Sequence, residues 1–185
     1  MSIVINLFGA SGSGKSTGAS YIFSLLKLKG LECEIAPEFI KEKVWEGRID
    51  SFCGGNQIYI FGKQFYRISR LQNKVDFIIT DSPVLLSNVY GDMNVLPPHF
   101  KDVVREVHKS WDSMNYFIER EKPFNPNGRN EKNPVESDAY IDKIKKELNV
   151  TNTLYTSVKG NEEGYNKIIE DILDYCERVK GGNSI

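Results

Sequence analysis

One nine-residue stretch decides most of what this chain can become. Gly9 to Thr17 reads Gly-Ala-Ser-Gly-Ser-Gly-Lys-Ser-Thr, which satisfies G-x-x-x-x-G-K-[ST] at Gly9, Gly14, Lys15 and Ser16. The apolar run Ile3 to Phe8 precedes it and reads as a buried strand. Tyr21, Ile22, Leu25, Leu26 and Leu28 follow at helical spacing. Strand, glycine loop and helix in that order form a phosphate-binding unit. Glycines at 9, 12 and 14 let the backbone curl around an anion with its N–H groups inward. The positive end of the following helix points at the same spot. Lys15 is placed to reach the β- and γ-phosphates of a bound ATP, and the Ser16 hydroxyl to ligate Mg²⁺. Ala10, Ser11, Ser13 and Thr17 complete the expected cradle.

The rest of the chain alternates strand and helix. Strands are expected at Leu31–Ala36, Val75–Thr80, Asn115–Glu119 and Thr153–Val158. Helices are expected near Phe39–Trp45, Asn56–Lys74, His99–Trp111, Asp138–Leu148 and Glu162–Lys180, with Gly54-Gly55 as a break and a frayed tail. The pattern implies an α/β fold with a mostly parallel sheet covered on both faces. A length of 185 residues fits a single domain, 1–185. Ligands in such a sheet bind at the carboxyl ends of its strands.

That rule selects further candidates. Asp81 follows the apolar run Phe77–Ile79 and reads as the carboxylate that holds Mg²⁺. Glu38 ends the second strand, where a carboxylate can take the proton of an attacking hydroxyl or can simply cap the next helix. Residues 120–137 are rich in Pro, Asn and Gly and carry Arg120, Lys122, Arg129 and Lys132. A loop of that kind suits a lid that brings cations over a transferring group, with Arg129 and Arg120 as the working residues. Gln57, Gln64 and Arg67 share one broad helix face and are candidates for reading a base, against the alternative of a merely wet face. Asn73-Lys74-Val75-Asp76 mimics a guanine-reading motif, but it lies upstream of Asp81 and no D-x-x-G follows.

Net charge is −1, which gives no global case for wrapping nucleic acid. Cys33, Cys53 and Cys176 are scattered, and we read them as reduced thiols of a cytoplasmic protein. No apolar run is long enough to span a membrane, and no signal peptide is expected.

With these residues in view, the chain resembles small P-loop kinases of the nucleoside and nucleotide type. It is also similar to bacteriophage P-loop kinase-like proteins and to the ribosylnicotinamide kinase-like group. The resemblance rests on Gly9–Thr17, Pro37-Glu38, the helix from Gln57 to Gln64, Thr80-Asp81-Ser82 and Arg120 through Gly128-Arg129. It implies five parallel strands in the order 2-3-1-4-5, ATP and Mg²⁺ as donor and metal, and Lys159-Gly160 bordering the adenine. By position it assigns the acceptor hydroxyl to Glu38 and the lid cation to Arg129. One departure stands out: Ser82-Pro83 follows Asp81 where many such kinases place an arginine. The implied reaction is γ-phosphate transfer to a nucleoside, nucleotide or related acceptor. Transfer to modified bases or ends of DNA is an alternative, as is an ATP-binding hydrolase, switch or sensor. A homodimer also remains open.

Overall fold

The computed structural model describes residues 1–48, 56–92, 94–129 and 131–182. Phe52, Cys53, the Gly54-Gly55 break and the end of the tail lie outside them.

Five parallel strands form one sheet: β1 (Ile3–Phe8), β2 (Cys33–Ile35), β3 (Phe77–Thr80), β4 (Ser113–Glu119) and β5 (Thr156–Lys159). Their order is β2-β3-β1-β4-β5, as the resemblance implies. β1 is central, pairing Ile5 with Ile79 on one side and with Met114 on the other. Every residue of β1 is buried, the composition a parallel strand needs when both faces are covered.

The period of two sorts its side chains. Ile3, Ile5 and Leu7 pack with Ile22 and Leu26 of α1 (Lys15–Leu28) and with Ile168, Ile169 and Ile172 of α7 (Glu162–Gly182). Val4 and Phe8 face the other way. They meet Ile68 of α3 (Gln57–Ser69), Val104 of α5 (Phe100–Lys109), and Ile144 and Leu148 of α6 (Pro134–Val150). Asn6 sits buried on that second face. Its amide donates to Asn115 Oδ1 at 2.9 Å on the neighbouring strand, so the polar group costs little.

Two short helices complete the layer around the site: α2 (Ile40–Trp45), ended by Gly47 at φ 66°, and α4 (Ser87–Tyr90). The first lies where a helix was expected; the latter follows a 3₁₀ turn at Val84–Leu86 and was not expected from periodicity, because it is only a turn long.

Several expected boundaries move. The third helix stops at Ser69 rather than Lys74, with turns through Asn73 at φ 62°. That places the guanine-like motif before β3, at the sheet edge away from the phosphate loop. β2 and β5 are shorter than expected, and β4 begins two residues earlier. The last correction reshapes the expected lid. α6 begins at Pro134, so residues 134–137 are helix and the loop spans 120–133. Asn133 caps the helix by accepting from Glu136 N at 3.0 Å, and Glu136 Oε2 accepts from Lys132 N at 2.8 Å. This is an asparagine N-cap with Pro at the first helical position, and Glu136 reaches back past the cap residue to the N–H before it. No helix among the described residues is long and apolar enough to cross a membrane.

Candidate active site

The phosphate loop is held by its carbonyls. Lys15 Nζ donates to Gly9 O and Ala10 O, both at 2.8 Å. Ser11 O accepts from Arg120 at 2.9 Å and from Ser137 Oγ at 2.8 Å. Gly14 O accepts from the Tyr165 hydroxyl at 2.9 Å. Gly9, Gly12 and Gly14 all have positive φ, at 140°, 76° and 102°. A Cβ on Gly9 would stand 2.6 Å from Ile118 O, so only glycine fits that close approach. Gly14 begins α1 without a side-chain cap, and the first turn has no acidic residue. The first-turn N–H groups therefore lack intrahelical partners and face an anion without competition.

Opposite the loop, the ends of β2 and β3 are tied together by one buried amide. Gln64 Nε2 donates to Ala36 O at 3.3 Å and to Thr80 Oγ1 at 3.2 Å, while its Oε1 accepts from Phe39 N at 3.3 Å. Next to this knot, Glu38 N donates to Asp81 Oδ1 at 3.0 Å. The two carboxylates thus leave adjacent strands at a fixed spacing.

A cavity of about 400 Å³ joins these parts. Lys15, Ser16, Glu38 and Asp81 all line it, together with Gln57 and Arg129. Enclosure lowers the pKa of the Lys15 ammonium, opposed in part by the carboxylates of Glu38, Asp81 and Glu131. Burial raises the pKa of Glu38, helped by the negative charge of Asp81 and opposed by Lys15. Gln57 is 6% exposed and makes no side-chain hydrogen bond among the described residues, so its amide is available to a ligand.

The expected lid closes one side. Asn127, Gly128, Arg129 and Glu131 contribute to the cavity wall. The Arg129 guanidinium donates to Asn125 O and lies 5.6 Å from the centre of the Phe124 ring. A Cβ on Gly12 would come within 3.1 Å of that ring, so the loop rests directly on the phosphate cradle. Gly128, at φ 71°, packs on the Trp45 indole of α2, where a Cβ would come within 2.6 Å.

Three expected site residues prove to be supports. Arg67 is outside the cavity; it donates to Pro37 O and Glu42 Oε1, both at 2.9 Å, and its guanidinium lies 5.4 Å from the Phe39 ring centre. It braces α2 instead of reading a base. Gln64 borders the cavity, but its amide is spent on backbone and Thr80. Arg120 does not line the cavity; it donates to Ser11 O and Ser137 Oγ and pairs with Asp138 at 2.8 Å. Lys159 and Gly160 also lie outside the cavity wall. Gly160 instead packs on Ser13 so closely that a Cβ would come within 2.1 Å of its carbonyl oxygen.

Other residues at the site escaped the sequence reading. Tyr90 of α4 and Tyr140 of α6 line the cavity with ring centres 4.7 Å apart and planes at 43°. The enclosure raises the Tyr90 phenol above its ordinary pKa, with the charges of Glu131 and Glu38 adding to the effect. Ser82, Ser87 and Lys41 line the same space. The Tyr165 ring is buried, and its hydroxyl holds the phosphate loop. Apart from Ser82, which adjoins Asp81, no local motif marks these residues, because each reaches the site through tertiary packing.

The donor set fits a magnesium ion shared with a phosphate ligand. Ser16 and Asp81 face the same cavity beside Lys15, and no group of three His, Cys, Asp or Glu side chains among the described residues would hold a metal alone. A site with two protein ligands leaves the remaining positions to phosphate oxygens and water, as Mg²⁺ commonly requires.

No protein-family model matches the chain, and no curated protein matches it. Solved structures do. A NadR protein in complex with NR superposes with a TM-score of 0.71 at 16% identity, over 94% of this chain and 51% of that one. A NadR protein in complex with NAD and AMP-PNP gives 0.68 at 16%, over 94% and 49%. Shikimate kinase from Aquifex aeolicus vf5 gives 0.50 at 17%, over 95% and 96%. The chain spans about half the length of the NadR chains. At these identities the likeness is one of fold, and the fold is that of P-loop kinases.

Proposed function

We propose that this protein transfers the γ-phosphate of ATP to a hydroxyl group of a nucleoside. The observation that carries the proposal is the shared cavity. Lys15, Ser16 and Asp81 for a nucleotide donor, and Glu38 for an acceptor, line one chamber.

The acceptor side has its own chemistry. Tyr90 and Tyr140 offer aromatic faces for a planar base. Gln57, Ser82 and Ser87 supply hydrogen-bonding groups. Lys41 is the one cation on the cavity wall, among the described residues, that belongs neither to the phosphate loop nor to the lid. An acceptor monophosphate would call for charge-assisted partners, typically arginine. This wall supports a neutral or cationic alcohol instead, in keeping with Ser82-Pro83 after Asp81.

The chemistry then follows from position. The first turn of α1 and Lys15 bind the donor phosphates and orient the terminal one. Mg²⁺ held by Ser16 and Asp81 would neutralise charge on those phosphates. Glu38 accepts the proton of the acceptor hydroxyl as its oxygen bonds to phosphorus and the donor's terminal P–O bond breaks, leaving ADP. Its raised pKa makes it a better base than an ordinary glutamate, provided it is ionised. Arg129 adds positive charge from the lid and, with Gly128 against Trp45, helps exclude water. We place the adenine near Lys159-Gly160, outside the acceptor chamber.

A panel test separates the acceptors. Label from γ-labelled ATP should pass to one or more nucleosides, with ribosylnicotinamide and the common ribonucleosides tried first. Nucleoside monophosphates and hydroxymethylated DNA should accept at least about 100-fold less well, the scale of losing a few kcal/mol of recognition. Label passing chiefly to a monophosphate or to DNA would overturn the acceptor assignment.

A further inference from the structure

The aromatic wall of the cavity rests on a buried polar bracket that takes no part in the chemistry. α4 is four residues long and has no side-chain cap, so it cannot hold its shape alone. Helical spacing puts Ser87 and Tyr90 on its cavity face and Asn88 on its back. Asn88 is 6% exposed. Its amide donates to Glu147 Oε1 at 2.7 Å and to Lys101 O at 3.1 Å. Both partners are acceptors, which fixes the orientation of the amide and leaves Asn88 Oδ1 buried without a partner.

Glu147 lies two helical turns beyond Tyr140 on the same face of α6. It is 7% exposed and is also gripped by Arg105 of α5, from Nε at 2.8 Å and Nη2 at 3.2 Å. These bonds hold its carboxyl below the ordinary range despite burial. α4 therefore meets α6 twice: Tyr90 against Tyr140 in the cavity, and Asn88 against Glu147 behind it.

We propose that the Asn88–Glu147–Arg105 bracket is a positioning device that sets the Tyr90–Tyr140 pair for the acceptor base. It reaches the acceptor only through those rings, and it rests on the reading of the cavity as an acceptor site. A purely structural role would affect stability alone. A positioning role affects acceptor binding and leaves the ATP side untouched, because the phosphate loop is held by Lys15, Ser137 and Tyr165.

Asn88→Ala is the informative variant. It removes the orphaned oxygen with the amide and leaves the Glu147–Arg105 pair intact, so the fold should survive. Two readouts apply to the full chain. In hydrogen exchange, peptides covering 84–91 should exchange faster while those covering 3–28 stay unchanged. In steady-state kinetics with the best nucleoside of the panel, the acceptor KM should rise about tenfold and the ATP KM less than twofold, and the change should vanish in a Tyr90→Ala background. Unchanged exchange in 84–91, or an acceptor KM effect that adds fully to that of Tyr90→Ala, would overturn the inference. If the wild type phosphorylates no nucleoside, the kinase reading fails separately and the exchange measurement still decides whether the bracket holds α4.

Discussion

Glu38 carries opposite demands. As a base it must be ionised, yet its surroundings favour the protonated form. The consequence for rate is an acid limb in kcat that lies above the ordinary glutamate value of 4.5, with activity rising as pH climbs through the shifted pKa. The consequence for stability has the opposite sign. A raised folded-state pKa means that the native chain holds this proton more tightly than the unfolded chain. The resulting stability is present below the ordinary range and is lost as pH rises through the raised value. Glu38→Gln should therefore lower kcat by about 10²–10⁴-fold and raise Tm at neutral pH; a thermal scan showing a lower Tm would contradict the assigned environment. Lys15→Ala should cost about 10²–10³-fold in kcat, the scale of removing one preorganised charge donor. Glu38 and Lys15 were both legible in the sequence, since position after a strand and membership of a fixed motif announce them. Gln57 was legible as a candidate on its helix face, whereas Tyr90 was not, because it reaches the cavity from a one-turn helix.

At the scale of elements, the loop 120–133 and α2 meet at Gly128 and Trp45. Gly128→Val would put a branched side chain into the indole at a φ that L-residues avoid, a cost of about 1–3 kcal/mol to the closed arrangement. A lower kcat with near-normal ATP affinity is the expected outcome, and unchanged kinetics would reduce the contact to surface packing. The helix start at Asn133 to Glu136 was written in the sequence as N-P-x-E. The surrounding prolines and asparagines masked it, and the expected lid was drawn four residues too long. α5 offers a separate check. His108 is 5% exposed, bonded through Nε2 to Thr153 Oγ1 at 3.0 Å and edge-on to Phe8. Burial lowers its pKa to about 4 from 6.5. The unfolded chain binds that proton first, so stability is complete above about pH 6.5 and falls as pH drops toward 4, by roughly 3 kcal/mol. His108→Gln should flatten that part of a plot of unfolding free energy against pH.

The whole molecule follows from one sheet. Parallel strands with a buried centre require helices on both faces, and because all five strands run the same way their carboxyl ends share one edge. Strand order was legible only through resemblance, because β2 and β5 are too short for their pattern to fix neighbours. The phosphate loop was legible outright, since its chemistry is local. The acceptor wall was not, since it is assembled from α2, α3, α4, α6 and loops far apart in sequence. That wall and the phosphate loop share one cavity, and the central claim is that phosphate crosses it. Single-turnover transfer from γ-labelled ATP, with a nucleoside panel present and ATP binding measured in the same samples, tests this most directly. The account predicts label in a nucleoside for the wild type, and for Glu38→Gln a much slower transfer with ATP affinity retained. Label released only to water, or transfer at the wild-type rate in Glu38→Gln, would contradict it.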